Sequence, residues 1–163
     1  MRIKVLWYFP FIQRFKWWFK SAKTAKDLTW HVDERIVVVG QMHHPLDLPT
    51  WKLVDEKWPE FAVEPRHLRL ALSTDGINLH SSLSIRYSCW TVMLNTYNLS
   101  SNFCMKRKFT MLTMLISGPK QPRNDIDVYL APLIDDFNVV WEDGVKDFDA
   151  YRHESFTLRF LTD

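Results

Sequence analysis

Leu68–Leu79 reads LRLALSTDGINL. Leu68, Leu70 and Leu72 alternate with Arg69, Ala71 and Ser73, the period of two that a strand shows when one face is buried. Continuing the alternation places Asp75 on the side of Arg69 and Ser73, away from the leucines. Gly76 follows at once, which predicts that the strand ends there in a turn. A carboxylate emerging from a core strand into a glycine turn is well placed to hold a metal ion. The same Asp-Gly pair is also a common turn former with no ligand at all.

Working outward toward the C-terminus, Ser84–Tyr97 is rich in Ile, Tyr, Trp, Thr and Val and predicts a second strand. Phe109–Ile116 (FTMLTMLI) is apolar at nearly every position and predicts a third, central in its sheet. Between them Lys106, Arg107 and Lys108 make a basic loop, either a phosphate contact or a solvated turn. Gly118-Pro119 closes the third strand and opens a proline-punctuated linker, PKQPRND.

Asp125–Trp141 carries Ile126, Leu130, Leu133, Ile134, Phe137 and Trp141 at helical spacing. Asn124 suits its N-cap, and the helix dipole favours Asp125 and Asp127 in the first turn. Capping thus accounts for an Asp-x-Asp pair that could otherwise serve a metal. Pro132 predicts a kink or a split. After Gly144, Ala150–Leu161 (AYRHESFTLRFL) turns strand-like. Nothing follows to cover Phe156, Leu158 and Phe160, so open apolar surface and marginal stability are expected there.

Toward the N-terminus, Pro10 to about Asp33 reads as helical, with Phe11, Phe15, Trp18 and Phe19 as one stripe and Ser21 as a possible break. Lys16, Lys20 and Lys23 line another face, which either meets DNA or is simply solvated. Ile36–Val39 predicts an edge strand, His43-His44-Pro45 a turn, and Thr50–Lys57 a short helix. The paired histidines have no Cys or acidic partner at a recognisable ligand spacing.

The 163 residues fit one domain and can bury a real core, with 47% hydrophobic and 15% aromatic content and eight Trp. The formal net charge of +2 is unevenly spread. Residues 1–30 hold seven bases (Arg2, Lys4, Arg14, Lys16, Lys20, Lys23, Lys26) against one acid, Asp27. Residues 125–154 hold nine acids against Lys146 and Arg152. Such asymmetry suggests a surface for polyanions, although a solvated helix face has the same composition. Cys89 and Cys104 lie in apolar surroundings and read as reduced core residues of an intracellular protein. Asn98-Leu99-Ser100 matches the glycosylation triplet, which is without meaning unless the chain is secreted. The apolar run before Pro10 is too short for a signal-peptide core or a membrane span.

Five stretches in order resemble one family: VLWYFPFIQRFKWWFKSAKTAKDLTWH, HHPLDLPTWKLVDEKWPEFAVEPRHLRLALSTDGINL, YSCWTVMLNTYNL, CMKRKFTMLTMLISGPKQPRNDIDVYLAPLID and YRHESFTLRFL. They are similar to the CACTA-type (En/Spm) DNA transposases of plants, over essentially the whole chain. STDG, MLISGPKQPRNDIDVYLAPLID and SAKTAKDLTWH are the most specific pieces. The resemblance implies a ribonuclease-H-like core in which a few acids hold two divalent cations, Mg²⁺, for cleavage and strand transfer of DNA. The first family acid falls in STDG, so the residue it assigns is Asp75, as catalytic group and metal ligand. Family members carry cysteines ahead of VLWYFP, and their later acids lie beyond SFTLRFL. Zinc held by His31, His43 or His44 would therefore be incomplete here, and Asp163 comes too early to be the second acid.

The expected architecture is α/β: a partial ribonuclease-H-like core, with a mixed sheet of about three strands and flanking helices. Residues 1–60 form a basic helical segment and 61–163 a truncated transposase core, together one compact unit. The expected function is a transposase fragment that no longer catalyses, acting in the nucleus (or in the cytoplasm if not imported). Its partners are DNA, held weakly without sequence preference through Lys16, Lys20, Lys23, Lys106, Arg107 and Lys108, and other transposase chains, with no membrane. The alternatives are a non-catalytic DNA- or protein-binding module and a remnant with no role.

Overall fold

The computed structural model describes residues 5–35, 42–78, 88–117 and 126–162. The edge strand predicted at Ile36–Val39, the Asn124 cap and Asp125 lie outside them. The N-terminal half is β1 (Leu6–Tyr8), α1 (Ile12–Phe19), α2 (Ala22–Leu28), α3 (Trp30–Asp33), a 3-10 turn at Pro45–Asp47, α4 (Pro49–Lys57) and α5 (Pro59–Val63). The rest is β2 (Leu68–Asn78), β3 (Ser88–Thr96), α6 (Ser101–Cys104), β4 (Met111–Ile116), α7 (Ile126–Glu142), β5 (Val145–Asp149), β6 (Glu154–Leu158) and β7 (Phe160–Thr162).

The alternation in β2 sorts its residues as expected near its start. Leu68 and Leu70 are fully buried against the helices. The strand does not stop at Gly76, however. It runs on to Asn78, pairing Asp75 with Thr91, Gly76 with Trp90 and Ile77 with Cys89 on antiparallel β3. The reason lies across the ladder: a Cβ on Gly76 would sit 3.5 Å from the Trp90 indole nitrogen, so the bare glycine lies under that ring instead of turning the chain. An Asp-Gly pair forms a turn only when no partner strand continues beside it.

β3 in turn pairs antiparallel with β4, across an irregularity between Val92 and Met93. The buried Thr113 hydroxyl donates to the Val92 carbonyl at 3.0 Å and holds the distortion. Among the described residues the sheet has five strands, order β1-β4-β3-β2-β7, not the three predicted. The two extra strands are three-residue edges, too short to show a period of their own. β1 pairs antiparallel with β4, Leu6 opposite Ile116. β7 pairs parallel with β2, Leu68 opposite Phe160. The predicted Ala150–Leu161 strand is two elements: β6 makes a hairpin with β5, and the chain then changes sheets at Arg159 to supply β7.

Helix α1 covers the leucine face. Phe11, Phe15, Trp18 and Phe19 are all buried, as their spacing predicts, and the Phe15 and Phe160 rings lie 4.8 Å apart. Phe156, Leu158 and Phe160 are therefore not open to solvent: their exposures are 8%, 0% and 2%. The covering elements come from earlier in the chain, with Phe19 against Phe156. On the other side of β1, the Tyr8 hydroxyl donates to the Asp136 carboxylate of α7. Burial and that carboxylate push the phenol well above its ordinary value. α7 runs unbroken through Pro132, where a kink or split is predicted.

Arg69 takes the opposite face. Its guanidinium stacks 3.8 Å from the Trp51 ring of α4 and pairs with Asp55. Buried Asn98 ties the start of β2 to the end of β3: its carbonyl accepts from the Arg69 N–H (2.8 Å) and its amide donates to the His67 carbonyl (2.8 Å). The glycosylation triplet is thus a structural staple.

Gly144, between α7 and β5, has φ +71°, and a Cβ there would meet the Thr157 methyl at 2.4 Å. Gly144→Ala is expected to cost about 2 kcal/mol from the left-handed backbone and the clash together. Urea unfolding checks it, and an unchanged midpoint would contradict this account of the turn.

Candidate functional site

Asp75 stands exposed on β2, on the same face as Ser73, and its backbone carbonyl accepts from the Thr91 hydroxyl at 3.2 Å. β7 runs beside β2 only as far as Leu70, opposite Thr162, so Asp75 lies beyond the paired stretch. Two divalent cations need several carboxylates around them. Among the described residues no three His, Cys, Asp or Glu side chains gather where a metal ion could sit. The described residues by themselves do not gather the acids of a two-metal centre.

Of the histidines read as zinc candidates, His44 has both ring nitrogens engaged by the fold. His44 caps the 3-10 turn: its Nδ1 accepts from the Leu46 N–H at 3.2 Å, and its Nε2 faces the Leu99 carbonyl at 2.9 Å. Both ring nitrogens are engaged, which fixes a neutral ring, and burial lowers its pKa in the same sense. Asp47 completes the turn, accepting from the backbone N–H of His43 (2.9 Å) and His44 (3.0 Å). Those bonds, His43 first, hold its carboxyl below the ordinary value.

The basic residues separate into two groups. Gln13 and Lys16 on α1 and Lys20 at its C-cap follow one another at helical spacing and face the β5–β6 hairpin. Together with Lys146, Asp147, Phe148, Ser155, Phe156 and Thr157 they line a cleft of about 560 Å³. Lys20 also lines a second cavity of about 330 Å³ with Trp17, Trp18, Ser21, Thr24 and Lys108. Lys16, Lys20 and Lys108 are thus joined along one surface, and Lys146 from the acidic half of the chain extends it. Lys23, Lys106 and Arg107 are exposed but line neither cavity. The Lys106 ammonium sits 4.5 Å over the Phe103 ring.

The model of transposase family tnp2 matches residues 39–162, well over half of the chain. The chain belongs to that family. No curated protein matches it. The match begins after α1, so the lysine-lined helix of this family member lies outside the matched stretch, whereas Asp75, Lys108 and Lys146 lie within it.

Proposed function

We propose that this chain is part of the catalytic region of a CACTA-type (En/Spm) DNA transposase, working on DNA in the nucleus, and that Asp75 is the first of its metal-binding acids. The family match carries the reading. It is supported by the order of elements, three antiparallel strands followed by the long helix α7, which is what a ribonuclease-H-like core requires. Asp75, exposed on the first of those strands, is free to face a reacting phosphate when further acids are brought beside it. In this reading the chain holds DNA, and cutting awaits the further acids that complete the centre. Mg²⁺ belongs to the completed centre, and other transposase chains are the natural partners in assembling one.

The cationic surface on α1 favours a second reading, a module that binds DNA without catalysis. Both require sequence-independent binding, with Kd above about 1 μM at physiological salt and an affinity that falls steeply as salt rises. Fluorescence anisotropy with a labelled duplex measures it. Affinity indifferent to salt, or no binding at low salt, would rule both out. Asp75→Asn is expected to change stability by less than about 0.5 kcal/mol, since an exposed side chain with no partner among the described residues is replaced. Cleavage of a transposon-end duplex by this chain in Mg²⁺ or Mn²⁺, lost in Asp75→Asn, would overturn binding without cutting.

A further inference from the structure

The geometry points to a seat for single-stranded nucleic acid on α1, with a backbone phosphate in the cleft against the β5–β6 hairpin and the next base stacked on Trp17. The inference deepens the nucleic-acid reading above and rests on it. Lys16 and Lys20 come from α1 and its C-cap and Lys146 from β5, so lysines line the cleft from two sides. None of the three has a carboxylate within salt-bridge distance among the described residues. Gln13, Ser155 and Thr157 add neutral donors that suit phosphate oxygens. Asp147 supplies one negative charge at the cleft, which three lysines outnumber; its Oδ1 accepts from the Phe148 N–H at 2.9 Å.

A flat patch of lysines would serve duplex and single strand alike. What separates them is Trp17. It is 68% exposed, although its neighbours on the helix, Trp18 and Phe19, are buried in the core. Its ring walls the second cavity, and Lys20 is common to both cavities. A phosphate held by Lys20 therefore lies next to an exposed indole, with Lys108 on the far side for the following phosphate. Base stacking on an aromatic ring needs an unpaired base, and a paired one in a duplex cannot offer its face.

The test uses the whole chain and two labelled probes, a short oligothymidylate and a duplex of equal length. Trp17→Ala is expected to weaken oligothymidylate binding about tenfold and to leave duplex binding within about twofold, while Trp17→Phe retains most of it. Lys146→Ala should weaken the oligothymidylate by roughly fivefold and reduce the slope of log K against log salt by about 0.7. Asp147→Asn should tighten it, because one repelling charge is removed. Bromouracil in the oligomer should crosslink to the peptide containing Trp17, a readout that needs no variant. Equal loss of both probes in Trp17→Ala, an indifferent Lys146→Ala, or crosslinks only elsewhere would overturn the seat while leaving the nucleic-acid reading intact. No binding of either probe at low salt would remove both.

Discussion

Replacing Arg66 by Ala is expected to cost about 3–5 kcal/mol, because it strands a buried carboxylate. Arg66 precedes β2 and is itself buried. Its Nε and Nη2 donate to the two oxygens of Glu64 at 2.7 and 2.6 Å, and its Nη1 donates to Glu154 at 2.7 Å. The guanidinium carbon lies 4.2 Å over the Phe156 ring, so the same group is packed as well as paired. Behind it, at 3.7 Å, is the Oδ2 of Asp149, a fully buried residue. The other oxygen of Asp149 accepts the N–H groups of Tyr151 (2.8 Å) and Arg152 (3.1 Å) and shapes the β5–β6 turn. Oδ2 has no hydrogen bond among the described residues, where Arg66 is the cation that compensates its charge. The Glu154 contact is half exposed and contributes little. Urea unfolding of Arg66→Ala, Asp149→Asn and the double variant separates the two contributions. Asp149→Asn keeps the turn acceptor and removes the charge, so it should recover much of the loss in the Arg66→Ala background. Additive losses would show that Asp149 does not depend on Arg66.

The second large effect is acid destabilisation. His31, on α3, is partly buried, with its Nδ1 lacking a hydrogen-bond partner among the described residues and its ring edge-on to Trp51. Burial, helped by the charge of Arg69, lowers its pKa from 6.5 to about 4, against the opposing pull of the backbone at Asn98 and Leu28. The unfolded chain therefore takes up a proton on His31 below pH 6.5, and the folded chain does not until about pH 4. The unfolded state binds more protons across that window, so stability rises with pH inside it and is lost as pH falls. The shift corresponds to about 3 kcal/mol, fully present above pH 6.5 and gone below pH 4. His44 and His67, also lowered chiefly by burial, act in the same direction. Urea midpoints measured from pH 7 to 4 should fall. The stability difference between the wild type and His31→Gln should shift by about 3 kcal/mol over that range. Parallel curves would show that His31 is not buried neutral.

How far these features can be read from the sequence depends on their range. The stripe Phe11, Phe15, Trp18, Phe19 and the alternation in β2 are local periods; the stripe is buried throughout, whereas the alternation holds at Leu68 and Leu70 and fails at Leu72, which is exposed. Asp75 on the Arg69 side of the strand follows from the same parity. Gly76 deceives because its partner, Trp90, is supplied by another strand. β1 and β7 carry too few residues for a pattern and exist because β4 and β2 offer unpaired edges. Lys146 is hidden by its setting: it belongs to a strongly acidic stretch, and only the β5–β6 hairpin brings it to the lysines of α1. The burial of Phe156, Leu158 and Phe160 is likewise invisible, because their cover comes from the opposite end of the chain.

The two edge strands also set an order of assembly. The β2–β3–β4 meander closes between neighbours in sequence and can form early. Leu6 meets Ile116 and Leu68 meets Phe160 only after loops of about a hundred residues have closed. During synthesis β2 has left the ribosome long before β7 exists, with its outer rim bare. Until Phe160–Thr162 arrives, that rim is a template for any other extended chain. Arg66 and its carboxylates, which anchor the hairpin leading into β7, therefore act on kinetics as well as on equilibrium: they hold the last strand close to the edge it must seal.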